Sequence, residues 1–323
     1  MKKIIMVLGM GGTIAGWSDS AHDNIGYKAG KLGIDSILEM IPAERRMEFD
    51  INSEQVAQLD SKDMSFPALY LLAQRVNTLT GNSQVAGIVI THGTDTLEES
   101  AYFLQEMCNS SKPVVLTCAM RPASSTSPDG PQNVLDALAL ACCANAAGVF
   151  VVCAGRIHSA SLVQKNHPYR LDPFSSGDAS CHGFVEEGHV RFLTLPFVLA
   201  VGSAGDSAEN TALPVTAIVW PNVQIVMNFV GVDGQIVDAL VAQGVDGIVV
   251  AGTGNGTIHY LLEASLLRAQ DQGVTIVVST RCAEGRVLPV PTRSFLDSAG
   301  LNPVKARIAL ILKLLKRPLI EHY

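Results

Sequence analysis

The loop Thr91–Asp95 carries many reactive side chains for a turn of five residues. It contains two threonine hydroxyls, the imidazole of His92 and the carboxylate of Asp95. Hydroxyl, imidazole and carboxylate groups are the material from which hydrolytic active sites are built. Threonine and aspartate are also ordinary turn and helix-cap residues, so the loop alone is equally compatible with a structural role.

The residues around this loop predict a strand, a sharp turn and a helix over Val85–Met107. The apolar run Val85–Ile90 is typical of a strand buried on both faces. Thr96 followed by Glu99 has the form of a capping box and predicts that a helix starts there. In an open parallel sheet, such a loop lies at the carboxyl end of the strands, where ligands bind.

A second strand and loop supply a possible partner. The apolar stretch Lys3–Leu8 runs directly into Gly9–Gly16, a glycine-rich loop with Thr13 at its tip. Because Gly252–Gly256 is another glycine loop after a strand, nucleotide binding is an alternative. The first loop matches neither GxGxxG nor the GK[ST] of a P-loop, and no acidic residue follows about 20 residues on at the end of a plausible second strand. We therefore rank nucleotide binding below a hydrolytic role for these loops.

The motifs GGTIAG and THGTDTLEE, in this order and spacing, closely resemble those of the bacterial-type L-asparaginases, which include the glutaminase-asparaginases. The similarity extends over nearly the whole chain. It implies an α/β fold with a larger N-terminal domain, whose mostly parallel sheet is flanked by helices, and a smaller C-terminal α/β domain. It also implies hydrolysis of L-asparagine to L-aspartate and ammonia, without a metal or cofactor.

The resemblance carries catalytic roles onto five residues. Thr13 corresponds to the primary nucleophile, and Tyr27, on a polar and mobile loop, to its assistant. Thr94, Asp95 and Lys165 correspond to the family's threonine–aspartate–lysine cluster. A threonine hydroxyl is a weak nucleophile that needs a nearby base or cation, and a lysine in a buried cluster can serve as a proton acceptor. An ordinary surface aromatic is an alternative interpretation of Tyr27. Lys165 would be an ordinary exposed lysine without its partners, and with them we favour a catalytic role.

Substrate recognition is expected from Ser61, Thr94, Asp95 and the backbone near Ala119. Lys62 stands where better-known members usually carry Gln or Glu, so it either pairs with the substrate carboxylate or points to solvent. We expect the solvent-exposed arrangement.

The family's second domain usually sends an acidic residue into a neighbouring subunit's site. That segment is short here, and Glu284 is only a weak candidate. Asn255, with Thr257, is a candidate for part of this contact. His92 matches no catalytic role in the family and is interpreted as a structural, hydrogen-bonding histidine.

The length of 323 residues favours two domains. We expect an N-terminal domain over 1–201, a linker over 202–213 that includes GSAGDSAEN, and a C-terminal domain over 214–323. Helices are predicted at 34–41, 68–78, from Pro131, and at 233–243, 258–270 and 303–316. Further strands are predicted at 47–51, 114–118, 149–153, 247–250 and 274–278, with 158–180 irregular and 185–195 extended.

The charge and hydropathy of the chain limit the classes of partner that it is expected to bind. Charged residues make up only 16% of the chain, against about 25% in typical domains, and the mean hydropathy is +0.27. This favours extensive burial, and with the resemblance it predicts a homo-oligomer, most simply a tetramer of tight dimers. A net charge of −7 argues against a nucleic-acid surface. No apolar run reaches the roughly 18 residues of a membrane span.

We expect a cytoplasmic protein. Met1–Leu8 superficially resembles the start of a signal peptide, but cleavage after about 15–30 residues would remove the glycine-rich loop. The seven cysteines are an odd number and contain no CxxC pair, which fits a reducing compartment and argues against metal binding. Cys108 aligns with one half of a disulfide of secreted members, and residues 77–82 offer no partner.

Two other functions stay open. The same pocket in a catalytically weak protein would sense amino acids, although the intact set of Thr13, Thr94, Asp95 and Lys165 argues against it. A related amidase would prefer glutamine, or glutamyl-tRNA, which would require a basic surface or an added domain. One methylene of substrate length is worth only about 1–3 kcal/mol, so the sequence does not decide between asparagine and glutamine.

Overall fold

The computed structural model describes residues 4–193, 218–291 and 294–316. The chain forms two compact units, one ending at Ala217 and the other beginning at Ile218. The predicted linker, 202–213, lies outside the described residues, so the exact domain limits stay predictions.

The N-terminal unit is organised by one eight-stranded sheet. Its strands, with two that lie outside the sheet, are β1 (Ile4–Gly11), β2 (Ile51–Leu59), β3 (Val85–Thr91), β4 (Pro113–Thr117), β5 (Gly148–Cys153), β6 (Arg156–Ser159), β7 (Gln164–Lys165), β8 (Phe174–Ser175), β9 (Gly183–Glu186) and β10 (His189–Phe192). The order across the sheet is β10-β9-β6-β5-β4-β3-β1-β2. Strands β1 to β5 pair in parallel, whereas β6, β9 and β10 extend the sheet antiparallel. The outliers β7 and β8 pair with each other as a hairpin.

Helices cover both faces of this sheet. They are α1 (Ile34–Glu39), α2 (Ala43–Arg46), α3 (Phe66–Thr80), α4 (Leu97–Met107) and α5 (Gly130–Ala141). The apolar sides of α1 and α5 pack with Val7, Val89 and Val115 in one core, while α3 and α4 contact each other and reach β3 and β5. Because both faces are covered, β3, β4 and β5 are almost entirely buried, as their continuous apolar sequences predict.

The C-terminal unit repeats this construction on a smaller scale. Its parallel strands, in spatial order, are β11 (Val223–Met227), β12 (Gly247–Gly252), β13 (Thr275–Thr280) and β14 (Leu296–Asp297). Its helices are α6 (Gln235–Ala242), α7 (Tyr260–Asp271) and α8 (Pro303–Leu315). Val250, Leu266 and Ile276 belong to its core. The predicted fold class, a large mostly parallel α/β domain followed by a smaller one, is confirmed.

Two local predictions are wrong. The strand predicted at 47–51 is β2, which begins at Ile51 and continues to Leu59. It is a half-exposed edge strand with many polar residues, so it lacks the continuous apolar run by which buried strands are predicted. The segment 158–180, predicted to be irregular, contains β7 and β8, which are too short to show a sequence period.

The capping box at the start of α4 is also absent. The helix begins after Thr96 as predicted, but the Thr96 side chain makes no cap hydrogen bond. Its hydroxyl donates instead to the carbonyl oxygen of Ser61, over 2.7 Å. A tertiary hydrogen bond therefore replaces the local cap, and it connects the start of α4 to the loop that carries Ser61.

Three further observations bear on the sequence predictions. None of the helices within the described residues is long and apolar enough to cross a membrane. All seven cysteines are free thiols. Cys108 is buried, its thiol lies 3.7 Å from the carbonyl of Ala73, and burial raises its pKa to about 12.

Candidate active site

The strand order creates a crevice between β1 and β3. Strands β1 and β3 are neighbours in the sheet. Strand β2 lies on the outer side of β1, whereas β4 and β5 lie in the opposite direction, beyond β3. At such a switch point the loops leaving the two central strands diverge, which opens a ligand site at their carboxyl ends. Gly9 of β1 lies opposite Thr91 of β3, so the loops carrying Thr13 and Thr94 leave the sheet side by side.

Direct backbone contact brings these loops together. A Cβ atom on Gly12 would lie 2.3 Å from the Cα of Gly93, and Gly12 has a φ of +83°. A Cβ on Gly93 would lie 2.4 Å from the hydroxyl oxygen of Ser61. Only glycine allows this stacking of three loops, because any side chain at either position would push the backbones apart.

The loop that carries Ser61 is fixed by hydrogen bonds to the loop that carries Thr94 and Asp95. The backbone N–H of Asp95 donates to Ser61 Oγ over 3.2 Å, and Thr96 Oγ1 donates to the Ser61 carbonyl. Ser61 is 3% exposed and Thr94 is 5% exposed. The structure thus brings the loops of three predicted site residues, Thr13, Ser61 and Thr94, together at one point of the sheet edge.

Thr13 is paired with Tyr27. Their hydroxyl oxygens are 2.7 Å apart, and Thr13 opens a short 3₁₀ helix, Thr13–Ala15, whose residues are all buried. Gly16 packs against the Tyr27 ring, because a Cβ there would lie 2.7 Å from a ring carbon. Burial raises the pKa of the Tyr27 phenol, and the nearby Asp95 carboxylate acts in the same direction. The phenol is therefore neutral at physiological pH.

The loop that carries Tyr27 is anchored at several points. Trp17 and Lys28 exchange two backbone hydrogen bonds, of 3.0 and 2.9 Å, across the base of the loop. Farther along, the backbone N–H of Ser18 donates to Ser124 Oγ over 2.9 Å. These contacts fix the direction from which Tyr27 approaches the threonine.

Thr94, Asp95 and Lys165 form one cluster. Lys165 Nζ donates to Thr94 Oγ1 over 2.8 Å and to Asp95 Oδ1 over 2.7 Å. The lysine side chain is 18% exposed and the aspartate side chain 54% exposed. Because an ammonium group only donates hydrogen bonds, Thr94 accepts here, and its own hydroxyl hydrogen is available for a substrate or a water molecule.

Glu98 helps to place Lys165 and was not found from the sequence. It lies in the first turn of α4 and is buried, yet its carboxylate accepts the backbone N–H of Lys165 over 2.5 Å. Acidic residues in the first turn of a helix are common because they complement the helix dipole. The sequence therefore gave no signal that this one reaches a distant hairpin.

The other predicted binding residues are Lys62, Ala119 and Asn255, and the first and last have hydrogen-bond partners within their own units. Lys62 Nζ lies 2.5 Å from Asp60 and 3.3 Å from Asp63, and its side chain is 62% exposed. Ala119 is buried. Asn255 belongs to the C-terminal unit, where its side-chain oxygen accepts the N–H of Leu288 over 2.6 Å.

The backbone that follows Ala119 is held by one carboxylate. Asp129 accepts the N–H groups of Met120 and Arg121, each over 2.9 Å. The turn after β4 therefore has a fixed conformation at the carboxyl edge of the sheet, beside the loop after β3.

His92 is fully buried and has a structural environment. Its Nδ1 lies 2.7 Å from the carbonyl of Gly93, and its Nε2 lies 2.9 Å from Ser100 Oγ. Since a carbonyl only accepts, Nδ1 carries the hydrogen and Nε2 accepts from the serine. Burial lowers the pKa of the imidazole, which keeps it neutral. The ring braces the Gly93 backbone from behind the site.

No three His, Cys, Asp or Glu side chains converge as a possible metal site within the part of the chain that the structure describes. The chemistry available to the clustered residues is that of two threonine hydroxyls, each with a polar partner at hydrogen-bond distance. Such an arrangement suits nucleophilic attack on a carbonyl followed by proton transfer.

Comparison with known proteins gives a consistent result over both units. Residues 4–197 match the family described as Asparaginase, N-terminal, and residues 222–320 match the Glutaminase/Asparaginase C-terminal domain. The protein named L-asparaginase 2 from Bacillus subtilis (strain 168) is 36% identical over 318 residues, covering 97% of this chain and 82% of that protein.

Two further relatives differ in the compartment that their names state. A Haemophilus influenzae protein named probable periplasmic L-asparaginase is 33% identical, over 96% of this chain and 88% of its own. The crystal structure of a probable cytoplasmic L-asparaginase from Campylobacter jejuni superposes with a TM-score of 0.87 and 37% identity, over 98% of this chain and 96% of that chain.

Proposed function

This chain belongs to the asparaginase family, and from that membership together with the site we propose that it hydrolyses L-asparagine to L-aspartate and ammonia. One observation supports this proposal most strongly. The contact of Gly12 with Gly93 sets the Thr13–Tyr27 pair beside the Thr94–Asp95–Lys165 cluster, so two polarised hydroxyls flank one crevice.

In the first step, Thr13 Oγ attacks the side-chain amide carbon of asparagine. A C–O ester bond forms, the C–N bond breaks, and ammonia leaves after taking up a proton. Tyr27 accepts the proton of Thr13. Because its phenol is already protonated, it must pass its own proton on as it does so, and the leaving nitrogen is the acceptor that the reaction provides.

In the second step, water attacks the ester and releases aspartate and free Thr13. The Thr94 hydroxyl, whose oxygen accepts from the Lys165 ammonium, is a strengthened donor for the oxygen on which charge develops. Asp95 keeps Lys165 in place through their ion pair, and its exposed oxygen surface is free to accept the substrate ammonium group.

Substrate binding is assigned to Ser61, Thr94, Asp95 and the backbone at Ala119. The arrangement of Lys62 between Asp60 and Asp63 supports the view that it stays outside the carboxylate pocket. The side chain of Asn255 already accepts a backbone hydrogen bond, which limits its freedom to reach a substrate. Relatives of similar identity, 33–36%, are named either L-asparaginase or glutaminase-asparaginase, so the assay below measures both amides.

The direct test is ammonia release from L-asparagine and L-glutamine by the wild-type protein and by Thr13→Ala. Removal of a nucleophile should reduce kcat on the order of 10⁴-fold or more while the fold is kept. Circular dichroism and the thermal midpoint control for folding. If Thr13→Ala keeps even about a tenth of wild-type turnover, Thr13 is not the nucleophile.

The assembly and compartment complete the proposal. A homotetramer built from tight dimers is supported by family membership and by the 16% content of charged residues. A cytoplasmic location is supported by the free thiols and by the Campylobacter neighbour. Analytical ultracentrifugation that finds an active monomer would contradict the first point, and recovery of the native protein in a periplasmic extract would contradict the second.

A further inference from the structure

The N-terminal unit has a second concavity that contains none of the proposed catalytic residues. Its volume is about 510 Å³, within the range of about 300–1,000 Å³ that small-molecule sites occupy. The start of β6, the β7–β8 hairpin and the segment 175–184 form its walls. Nothing in the proposed reaction explains a cavity of this size at these residues.

The charged groups of the cavity leave one cation unneutralised. Arg170 forms a two-pronged contact with Asp172, with nitrogen–oxygen distances of 3.0 and 2.9 Å, so these charges cancel. Arg170, and less strongly Arg156, hold the pKa of Asp172 below its ordinary value. Among the described residues the Arg156 guanidinium makes no hydrogen bond or ion pair, and a guanidinium offers five donors suited to a carboxylate.

Neutral hydrogen-bond donors line the same cavity as the Arg156 guanidinium. Nδ1 of His167 accepts the N–H groups of Tyr169 and Arg170, over 3.0 and 2.9 Å. The hydrogen of the neutral ring is therefore on Nε2, where it can be donated. Asn166 and Ser180 also line the cavity, and their side chains have no partner in the described part of the chain. The lining is rich in unused donors, and the carboxylate of Asp172 is already occupied.

Aromatic side chains form the rest of the wall. Phe174, which is buried, and Phe184, which is half-buried, both line the cavity. The Arg191 guanidinium lies 5.0 Å from the centroid of the Phe184 ring, which is otherwise partly exposed. A free inorganic anion would make no use of the apolar part of the lining, whereas the carbon skeleton of an organic acid would cover it. We propose that this cavity is a binding site for a small organic acid, held by its carboxylate groups at Arg156.

The site shares a structural element with the catalytic cluster. In the hairpin, Phe174 of β8 lies directly opposite Lys165 of β7. A ligand packed on Phe174 restricts the hairpin that presents Lys165 to Thr94. This second part rests on the proposed function and predicts that an occupied cavity alters kcat of amide hydrolysis. The binding itself does not depend on any turnover.

Isothermal titration with citrate and with inorganic phosphate tests the proposal. The wild-type protein should bind one citrate per chain, with a Kd at least about tenfold lower than that for phosphate. Arg156→Gln should raise the citrate Kd about ten- to a hundredfold. Arg156→Lys keeps the positive charge but loses the two-pronged donor geometry of the guanidinium, so its citrate Kd should lie between those of the wild-type protein and Arg156→Gln. Arg268→Gln removes the same charge from the C-terminal unit and should leave binding unchanged.

Several outcomes would overturn the proposal. Absence of saturable citrate binding to the wild-type protein would exclude the site, and equally tight phosphate binding would exclude an organic acid as its ligand class. Citrate binding that survives Arg156→Gln but disappears in Thr13→Ala would place the ligand at the catalytic cluster. Since binding is measured without substrate, these results are distinct from a failure to release ammonia, which would refute only the proposed function.

Discussion

Replacement of Lys165 by Met and of Asp95 by Ala, singly and together, tests whether the cluster acts as one unit. Lys165 Nζ is within 2.8 Å of both Thr94 Oγ1 and Asp95 Oδ1, so each single change removes part of the same hydrogen-bond network. We expect each variant to lose on the order of 10³-fold in kcat/KM, about 4 kcal/mol of transition-state stabilisation.

The structure separates this loss from an effect on folding. The ion pair joins a lysine that is 18% exposed to an aspartate that is 54% exposed, and a pair so open to solvent contributes no more than about 1 kcal/mol to stability. Urea unfolding followed by circular dichroism should therefore change little in Asp95→Ala. Lys165→Met removes the donor to the buried Thr94 oxygen and should cost about 1–2 kcal/mol.

The double variant decides the question. Independent contributions would multiply to a loss on the order of 10⁶-fold, whereas members of one unit are non-additive, and the double variant should fall within about tenfold of the worse single variant. The assay is steady-state ammonia release from L-asparagine. Asp238→Ala and Arg268→Met, which break an ion pair with both partners 56% exposed in the C-terminal unit, serve as matched controls and should keep full activity. Multiplicative losses at Lys165 and Asp95 would refute the description as a unit.

Four other changes give measurable outcomes. Tyr27→Phe keeps the ring but loses the 2.7 Å contact with the nucleophile, so kcat should fall about 10²- to 10³-fold at an unchanged thermal midpoint; a near-normal kcat would remove it from the mechanism. Lys62→Gln should change KM for asparagine less than about fivefold, under about 1 kcal/mol, because the lysine pairs with its own loop; a larger rise at unchanged stability would place it against the substrate. Glu98→Gln weakens the hydrogen bond to the Lys165 backbone and should lower kcat about tenfold and stability by about 1 kcal/mol, measured by ammonia release and urea unfolding; a loss of stability with intact kcat would make Glu98 purely structural. Burial lowers the pKa of His92 below its ordinary 6.5, so below that pH the unfolded chain binds one proton more than the folded chain. The free energy of unfolding should therefore decrease as pH falls below about 6.5, by up to about 1.4 kcal/mol per pH unit. His92→Gln should show a shallower pH dependence, and equal slopes for the two proteins would contradict this assignment.

Sequence patterns predict the buried elements well and the exposed ones poorly. The apolar runs that become β3, β4 and β5 are visible because both faces of those strands are covered. Strand β2 is half-exposed and polar, so its pairing with β1 depends on tertiary contact that no local pattern records. The β7–β8 hairpin has two residues in each strand, fewer than any period requires.

The candidate site shows the same division. The motifs identify Thr13, Thr94 and Asp95 because the loops that hold them need glycine at fixed positions, and glycine is conspicuous in a sequence. Lys165 was identified only through the family resemblance, since it lies in a segment without a recognisable pattern. Glu98 escaped notice because an acidic residue early in a helix has an ordinary explanation.

The two halves of the site are therefore fixed by different means. Thr13 and Thr94 follow neighbouring central strands and are locked by glycine contacts, so their separation is set by the sheet itself. Lys165 reaches Thr94 from a two-residue strand, whose backbone is held by the pairing with β8 and by the buried Glu98 carboxylate at the start of α4. The nucleophile half has little freedom to move, whereas the lysine half depends on a small hairpin. Changes that act on Phe174 or Glu98 should therefore alter catalysis through Lys165 long before they disturb the position of Thr13.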